Sequence, residues 1–386
     1  MTFWDAVVWT LQGLVVFVAS TLLFDTLHYL LHRWGKSRSP LLRRFARWHW
    51  VHHAFLDRRM RVHPELVRQN LIYHVIPEYL TSMAGTLVFL FVFHWIPVVS
   101  VAIIRTIMFV LTLKEEGMDF NHMTMKRLNG QQNLFWVGPS YHALHHIHPD
   151  NFYSSFTNVF DLIFGTTCQF KGRRFAVTGS GGSFGGALVR RLESLGAEVR
   201  TLKHGVDFVP GDPSGARPTL EWADVLVLSH GAKSEDCDNA NVRTFVELTE
   251  LFREIGQDRL TPPEVWGLGS EVELHGDFGM ESLRDYARTK RAFAAHAKGY
   301  YLSRDLIYRH IVPSAFKSAM GPGPMSADTA VRMALFYIRR GFRYVPVSLT
   351  GLAYWNFVRF RLQKTPAISM EPARAVTDIA GGSGRA

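Results

Sequence analysis

Arg174-Phe175-Ala176-Val177-Thr178-Gly179-Ser180-Gly181-Gly182-Ser183-Phe184-Gly185 divides the chain into two halves of different construction. A short apolar run reads as a strand, a glycine cluster follows, and Ala187 to Leu195 has helical periodicity. Strand, turn and helix in that order give a glycine fingerprint its meaning. Gly179 permits the tight turn, Gly182 lets the backbone approach a pyrophosphate, and Gly185 lets the helix pack closely with its N-terminus towards the phosphates. Thr178, Ser180, Ser183 and Phe184 complete the candidate cofactor loop. Strand and helix signals then alternate, with strands expected at Val199 to Lys203, Val225 to Ser229, Val265 to Leu268 and Ile307 to Val312. This cadence predicts an α/β unit with a doubly wound parallel sheet. The second strand carries Arg200 and Lys203 and no acidic residue for a ribose 2′-hydroxyl, which favours NADP over NAD. Asp212 is expected at the adenine edge.

Upstream the composition changes. Of 386 residues, 47% are hydrophobic and only 20% charged, and the net charge of +10 is concentrated beside apolar segments. Arg33 to Arg68 holds ten basic residues against Asp57 and Glu65, a juxtamembrane pattern and not a nucleic-acid surface. Ala6 to Phe24 is uncharged and lacks a cleavage signature, so it reads as a retained span. Leu71 to Leu113 is too long for one crossing and breaks at His94-Trp95-Ile96-Pro97, which predicts a hairpin of two helices with Glu78 and Arg105 facing protein or headgroups. The basic loop and everything after Lys114 are then expected on the cytoplasmic side. Cys168 and Cys237 are the only cysteines; they exclude a disulfide framework and a thiolate metal site and suit a reducing compartment.

Thirteen of the 18 histidines lie at or before residue 148. His28 and His32 are four apart, and His49, His52 and His53, like His142, His145 and His146, occupy i, i+3 and i+4. Each group projects imidazoles from one helical side. A lone helical histidine is usually a hydrogen-bonded core residue. Eight packed together would leave many polar nitrogens to satisfy, which two metal ions do directly, and zinc alone seldom needs so many ligands. His63, His74 and His148 read as outer or surface residues, and Glu115 and Glu116 as a solvated helix end.

These three boxes resemble those of the fatty acid hydroxylase and sterol desaturase superfamily. Asn121-His122 sits where that family has an additional metal histidine, and the run from His145 through His148-Pro149 to Asp161-Leu162-Ile163-Phe164-Gly165-Thr166 resembles its closing signature. The likeness covers residues 5 to 167. It implies a di-iron centre held by His28, His32, His49, His52, His53, His122, His142, His145 and His146. Such a centre activates O2 for attack on a bilayer lipid, a fatty acyl chain or sterol, with electrons from a separate donor protein.

Tyr286 and Lys290 stand four apart on one helical face. Together with the glycine loop they resemble the short-chain dehydrogenase family over residues 172 to 325. That likeness implies Tyr286 as general acid/base, Lys290 on the nicotinamide ribose and lowering the phenol pKa, Ser270 on the substrate carbonyl and Asn241 holding a relay water. Two departures stand out: Ser270 precedes Tyr286 by 16 positions, and Ser229-His230-Gly231-Ala232 only approximates the family's turn after the fourth strand.

The expected organisation is an α-helical membrane domain with a cytoplasmic histidine-rich cap (1–168), a Rossmann-like NADP domain (169–340) and an extension (341–386) with a disordered end. Val331 to Arg361 mixes aromatics with arginines and suits either a membrane surface or a packing helix. The expected function is a membrane lipid oxidoreductase that pairs O2-dependent hydroxylation or desaturation with NADP-dependent alcohol/carbonyl chemistry, as bifunctional sterol desaturase/short-chain dehydrogenase proteins do. Two other readings fit the sequence: a reductase whose histidines hold a structural metal, and a non-catalytic nucleotide sensor.

Overall fold

The computed structural model describes residues 2–363 apart from 132, 134, 234 and 235. The first helix, α1 (Phe3–Trp34), starts at a reciprocal cap in which Thr2 and Asp5 each accept the other's backbone N–H. α2 (Pro40–Phe55) begins with proline, whose missing N–H costs nothing in a first turn. α3 (Val67–Asn70), a π-helical segment at Leu71–Val75 and α4 (Ile76–Leu87) form one rod. His94 caps α5 (Trp95–Lys114), so the expected hairpin turns where the sequence breaks. α6 (Pro139–Ile147) and α7 (Val159–Phe164) complete this half.

Two of these helices, α1 and α5, are long and apolar enough to cross a membrane. Leu11 and Leu14 of α1, Leu80 of α4 and Ile103 and Ile107 of α5 are exposed. Arg105 turns inward: its guanidinium donates to Ser20 Oγ (2.7 Å), Thr21 Oγ1 (2.9 Å) and the Phe17 carbonyl (3.1 Å) on α1.

The second half is one six-stranded, fully parallel sheet in the order β2-β1-β3-β4-β5-β6. It is built from β1 (Arg174–Thr178), α8 (Ser183–Ser194), β2 (Glu198–Leu202), α9 (Arg217–Trp222), β3 (Val225–Leu228), α10 (Thr244–Ile255) and β4 (Glu264–Leu268). α11 (Val272–His275), α12 (Arg284–Leu302), β5 (Ile307–Pro313), α13 (Ala327–Ile338), β6 (Tyr344–Val347) and α14 (Leu352–Leu362) follow. Apolar clusters cover both faces, so the sheet is doubly wound as expected. The chain moves outward from β1 to β2 and then crosses back to β3, so the direction reverses between β1 and β3. That crevice, at the carboxyl ends of the strands, is where such sheets bind ligands.

The boundary at residue 340 is corrected. β6 pairs with β5, and α14 buries Ala353 and Phe360 in the core, so the α/β unit runs to Leu362. Pro346 hides this strand from a sequence reading, yet proline is tolerated because β6 is an edge. The tail expected to be disordered, Thr365 to Ala386, lies outside the described residues.

The two halves meet at the amino ends of the strands. Leu128 N–H donates to the Leu260 carbonyl (2.9 Å) ahead of β4, Arg127 to the Asp305 carbonyl (3.2 Å) ahead of β5, and Thr167 N–H to the Arg339 carbonyl (3.0 Å) ahead of β6. Because α14 belongs to the core, Phe360→Ala is expected to lower the stability of the α/β unit by about 3–5 kcal/mol, the usual cost of emptying a buried phenyl site. Denaturant unfolding monitored by tryptophan fluorescence measures this, whereas a mere extension would leave the midpoint unmoved.

Candidate metal centre and nucleotide site

The nine histidines converge in two groups: His28, His32, His49, His53 and His145, and His52, His122, His142 and His146. All nine are buried. Helical pitch sets the partition. Residues four apart are offset by only about 40° and residues three apart by about 60° the other way. His28/His32, His49/His53 and His142/His146 therefore each stay in one group, while His52 and His145 turn to the other. Within the first group, Nε2 of His32 lies 2.9 Å from Nε2 of His49 and 3.2 Å from that of His53. In the second, His122 Nε2 lies 3.0 Å from His52 Nε2 and 2.9 Å from His142 Nε2. Imidazoles about 2.1 Å from a shared ion and at right angles stand about 3.0 Å apart, so these spacings suit ligands of one metal.

The outer nitrogens fix the ring orientations. His145 Nδ1 donates to the Asn151 carbonyl (2.7 Å) and His146 Nδ1 to the Leu56 carbonyl (2.8 Å), which leaves each Nε2 as an inward lone pair without a hydrogen-bond partner. His52 Nδ1 meets Asn70 Oδ1 (3.1 Å), and His122 Nδ1 meets Asp119 Oδ1 (2.7 Å). Such outer partners orient metal ligands. Burial, reinforced by neighbouring imidazoles, pushes the pKa values of His49, His52, His53, His142 and His146 well below the ordinary histidine value, so the rings are neutral and able to ligate. The residues fit two metal ions.

His63 faces Asp57 and Glu65, while His148, Glu115 and Glu116 are exposed. His74, on the π segment, stacks on His52 at 3.5 Å with its Nε2 3.4 Å from Glu78. Asn70, Asp119 and Tyr153, whose ring lies 5.4 Å from those of His32 and His145, were not singled out from the sequence. Only Asp119, three residues before His122, left a local signal.

At the other end of the sheet, Gly179 (φ +66°) starts the turn after β1. A Cβ on Gly185 would stand 2.2 Å from the Gly179 carbonyl, so α8 can approach the turn only as glycine. Gly181 and Gly182 are exposed at the N-terminus of α8, with open space on one side, and Ser180 and Ser183 flank them. Phe184 is turned away from that cradle and buried in the core against α13. Thr178 is also internal, its Oγ1 joined to Val227 O, Ser229 N and His230 Nδ1 (2.7 Å). His230 spans Thr178 and Thr244 Oγ1 (2.8 Å), and burial holds it neutral, with its pKa pushed down to about 3. Lys203 follows β2 level with the glycine turn and is exposed. Arg200 is not brought to the turn: it points to the other side of β2 and stacks 4.1 Å over Trp222, beside Arg174 at the start of β1. The Asp212 carboxylate caps its own turn at Ser214 N.

The catalytic candidates meet despite their unusual spacing. α11 and the loop after it take up the extra residues, and Ser270 is brought beside Tyr286, whose ring lies 5.8 Å from Lys290 Nζ. Burial pushes the Tyr286 phenol up to about 12 although Ser270 lowers it. Burial also brings the Lys290 ammonium down to about 8, opposed by Glu273, while Nζ donates to the Leu268 carbonyl (2.8 Å). Asn241 lies in a π-helical segment before α10, where its amide holds both backbone groups of Ala232 and donates to Thr289 Oγ1 (3.0 Å). Behind Ser270 the fully buried Glu273 accepts the Ser270 N–H (3.2 Å) and pairs with His310 (3.0 Å), a support that sequence reading did not find. The arrangement suits proton exchange with a hydroxyl or carbonyl placed between Ser270 and Tyr286, beside a dinucleotide on the glycine turn.

No protein-family model matches the chain. It is 26% identical to the monoglucosyldiacylglycerol epimerase of Synechocystis sp., over 91% of this chain and 95% of that protein. Among solved structures, a short-chain dehydrogenase from Sphingobium yanoikuyae in complex with NADPH aligns with 50% of this chain and 94% of its own, at 16% identity and a TM-score of 0.40. A short-chain dehydrogenase/reductase from Burkholderia phymatum in complex with NAD covers 52% and 98%, at 14% identity and a TM-score of 0.39.

Two outcomes are expected. Metal analysis of the detergent-purified chain should find one ion for each histidine group, with His145→Ala and His142→Ala each losing metal while NADPH binding persists. Gly185→Ala should abolish NADPH binding, read by fluorescence titration, and leave the metal content unchanged.

Proposed function

We propose that the chain is a membrane-embedded enzyme whose α/β unit interconverts a hydroxyl and a carbonyl on the polar head of a membrane lipid with a nicotinamide nucleotide. The observation that carries this reading is the meeting of Ser270, Tyr286 and Lys290 beside the glycine turn. The cradle at Gly181 and Gly182 and the helix start at Ser183 would hold the pyrophosphate, with Lys203 placed for the 2′-phosphate of NADP. The bound nucleotide supplies a hydride acceptor and, in its reduced form, a donor. The Ser270 hydroxyl orients the substrate oxygen, and Tyr286 takes its proton in oxidation and returns it in reduction. Lys290 favours the phenolate electrostatically. Glu273 fixes the Ser270 backbone, and Asn241 fixes the Ala232 turn below the site.

The Synechocystis relative, matched over nearly its whole length, is named for epimerising a glycolipid, which supports a sugar-bearing lipid as substrate. Inversion needs nothing beyond these residues if the carbonyl intermediate turns over before reduction.

The histidine centre supports a second activity. Iron held there would supply O2 activation for oxidation of a lipid C–H bond, with electrons from a separate donor protein. An all-imidazole shell leaves positions for O2, and the exposed apolar belt suits entry of an acyl or sterol chain from the bilayer.

Tyr286→Phe should lose about 100- to 10,000-fold in hydroxyl oxidation and in headgroup inversion while still binding nucleotide; undiminished turnover would sink the reading. Because burial raises the Tyr286 pKa, its basic form gains with pH. Oxidation should therefore accelerate from pH 7 and level off above about 8, where Lys290 loses the charge that favours the phenolate, while carbonyl reduction does not accelerate. Lipid mass spectrometry separates the centres: His145→Ala should lose any one-oxygen or two-hydrogen mass change, with inversion, followed by NMR of the headgroup, retained.

A further inference from the structure

α14 is apolar on two sides. Ala353 and Phe360 pack into the core, while Trp355, Val358 and Leu362 face outward, with Trp355 57% exposed. The outward side also carries exposed Arg359 and Arg361, so apolar and basic side chains lie side by side there. Across the β6 edge, α13 presents Phe336, 49% exposed and stacked 3.5 Å from the Arg340 guanidinium. The two helices touch through the hydroxyls of Tyr337 and Tyr354. This flank runs the whole height of the sheet. At the carboxyl end, exposed Leu349 leads from β6 into α14, and Ser348 Oγ donates to Glu271 (2.6 Å), the neighbour of Ser270. At the amino end, Arg340 donates to the Ile163 carbonyl (3.3 Å) on α7, whose Ile163 and Phe164 are exposed. α7 in turn packs on α1, with Phe160 against Tyr29 at 5.6 Å. The apolar flank is thus continuous with the helix that carries the first expected span, and Arg332, Arg339 and Arg340 line it.

We propose that this flank, formed by α13, α14 and α7, lies on an anionic lipid surface and brings the Ser270–Tyr286 site to the level of the headgroups. Aromatic side chains with flanking arginines suit the interfacial zone of a bilayer, where rings enter the acyl boundary and guanidinium groups meet anionic heads. The consequence is geometric. The histidine half holds the sheet by its amino ends, so an upright α/β unit would carry its site away from the bilayer. Laid on this flank, the unit has its strands along the membrane plane and its site beside the lipid. The proposal rests on the membrane-spanning reading of α1 and α5.

The test uses the full chain in nanodiscs of phosphatidylcholine and phosphatidylglycerol, with nitroxide labels on Phe336→Cys and Trp355→Cys and wild-type treated identically as background. Leu14→Cys on α1 is the lipid reference and Glu221→Cys on α9 the water reference. Both flank labels are expected to favour collision with lipid-soluble O2 over an aqueous nickel chelate, as the Leu14 label does. A double Phe336→Glu, Trp355→Glu variant should lose turnover of a bilayer lipid severalfold and keep turnover of a short-chain water-soluble analogue. Flank labels that behave as Glu221 does, with Leu14 in lipid, overturn the docking and leave the span intact. Labels shielded from both reagents mean that protein, such as a second copy of this chain, covers the flank, which also overturns it. A Leu14 label in water removes the spanning reading itself.

Discussion

Buried imidazole nitrogens need partners, and the first half of the molecule is organised around that requirement. Nine buried rings pack together, several with Nε2 atoms about 3 Å apart. Desolvating an unpaired polar nitrogen costs on the order of 1–3 kcal/mol, so a cluster of them is unfavourable unless a cation fills the centre. The surrounding structure accepts that demand. α1, α2, α6 and the Asp119–His122 turn cross where their rings converge, and carbonyls at Leu56 and Asn151, with the carboxylate of Asp119, hold the far nitrogens. Coordination would add a second tie between segments that already share the Phe55–Leu144 apolar cluster.

The second half obeys a different rule, and the junction between them has chemical meaning. The histidine half grips the loops that precede β4, β5 and β6, while the nucleotide crevice opens beyond the opposite ends of the strands. Five residues of strand span about 17 Å. A molecule at the histidine cluster would have to leave it and approach the crevice from the far end. The two sites therefore share no cavity.

Much of this was legible in the sequence, and the reasons differ by region. All nine ligand candidates could be named because helical spacing is local information, as is the glycine turn that begins β1. The split into groups of five and four followed from the same spacing but became visible only when the helices were seen to cross. Arg200 was misplaced because strand alternation sent its side chain to Trp222. β6 was missed because a four-residue strand containing proline has almost no periodic signal. Glu273 and His310 lie 37 positions apart and meet only through the parallel register of β4 and β5, which no local pattern records.

That last strand also gives the molecule a calendar. All nine candidate ligands lie at or before residue 146, so the histidine half can close while the rest is still being made. The sheet stays open along β5 until Tyr344–Val347 arrives, and the residues that seal Phe360 against His310 are among the last described. For that interval an apolar edge and an apolar helix face are both uncovered. Contact with the half already folded would keep those surfaces from meeting another chain.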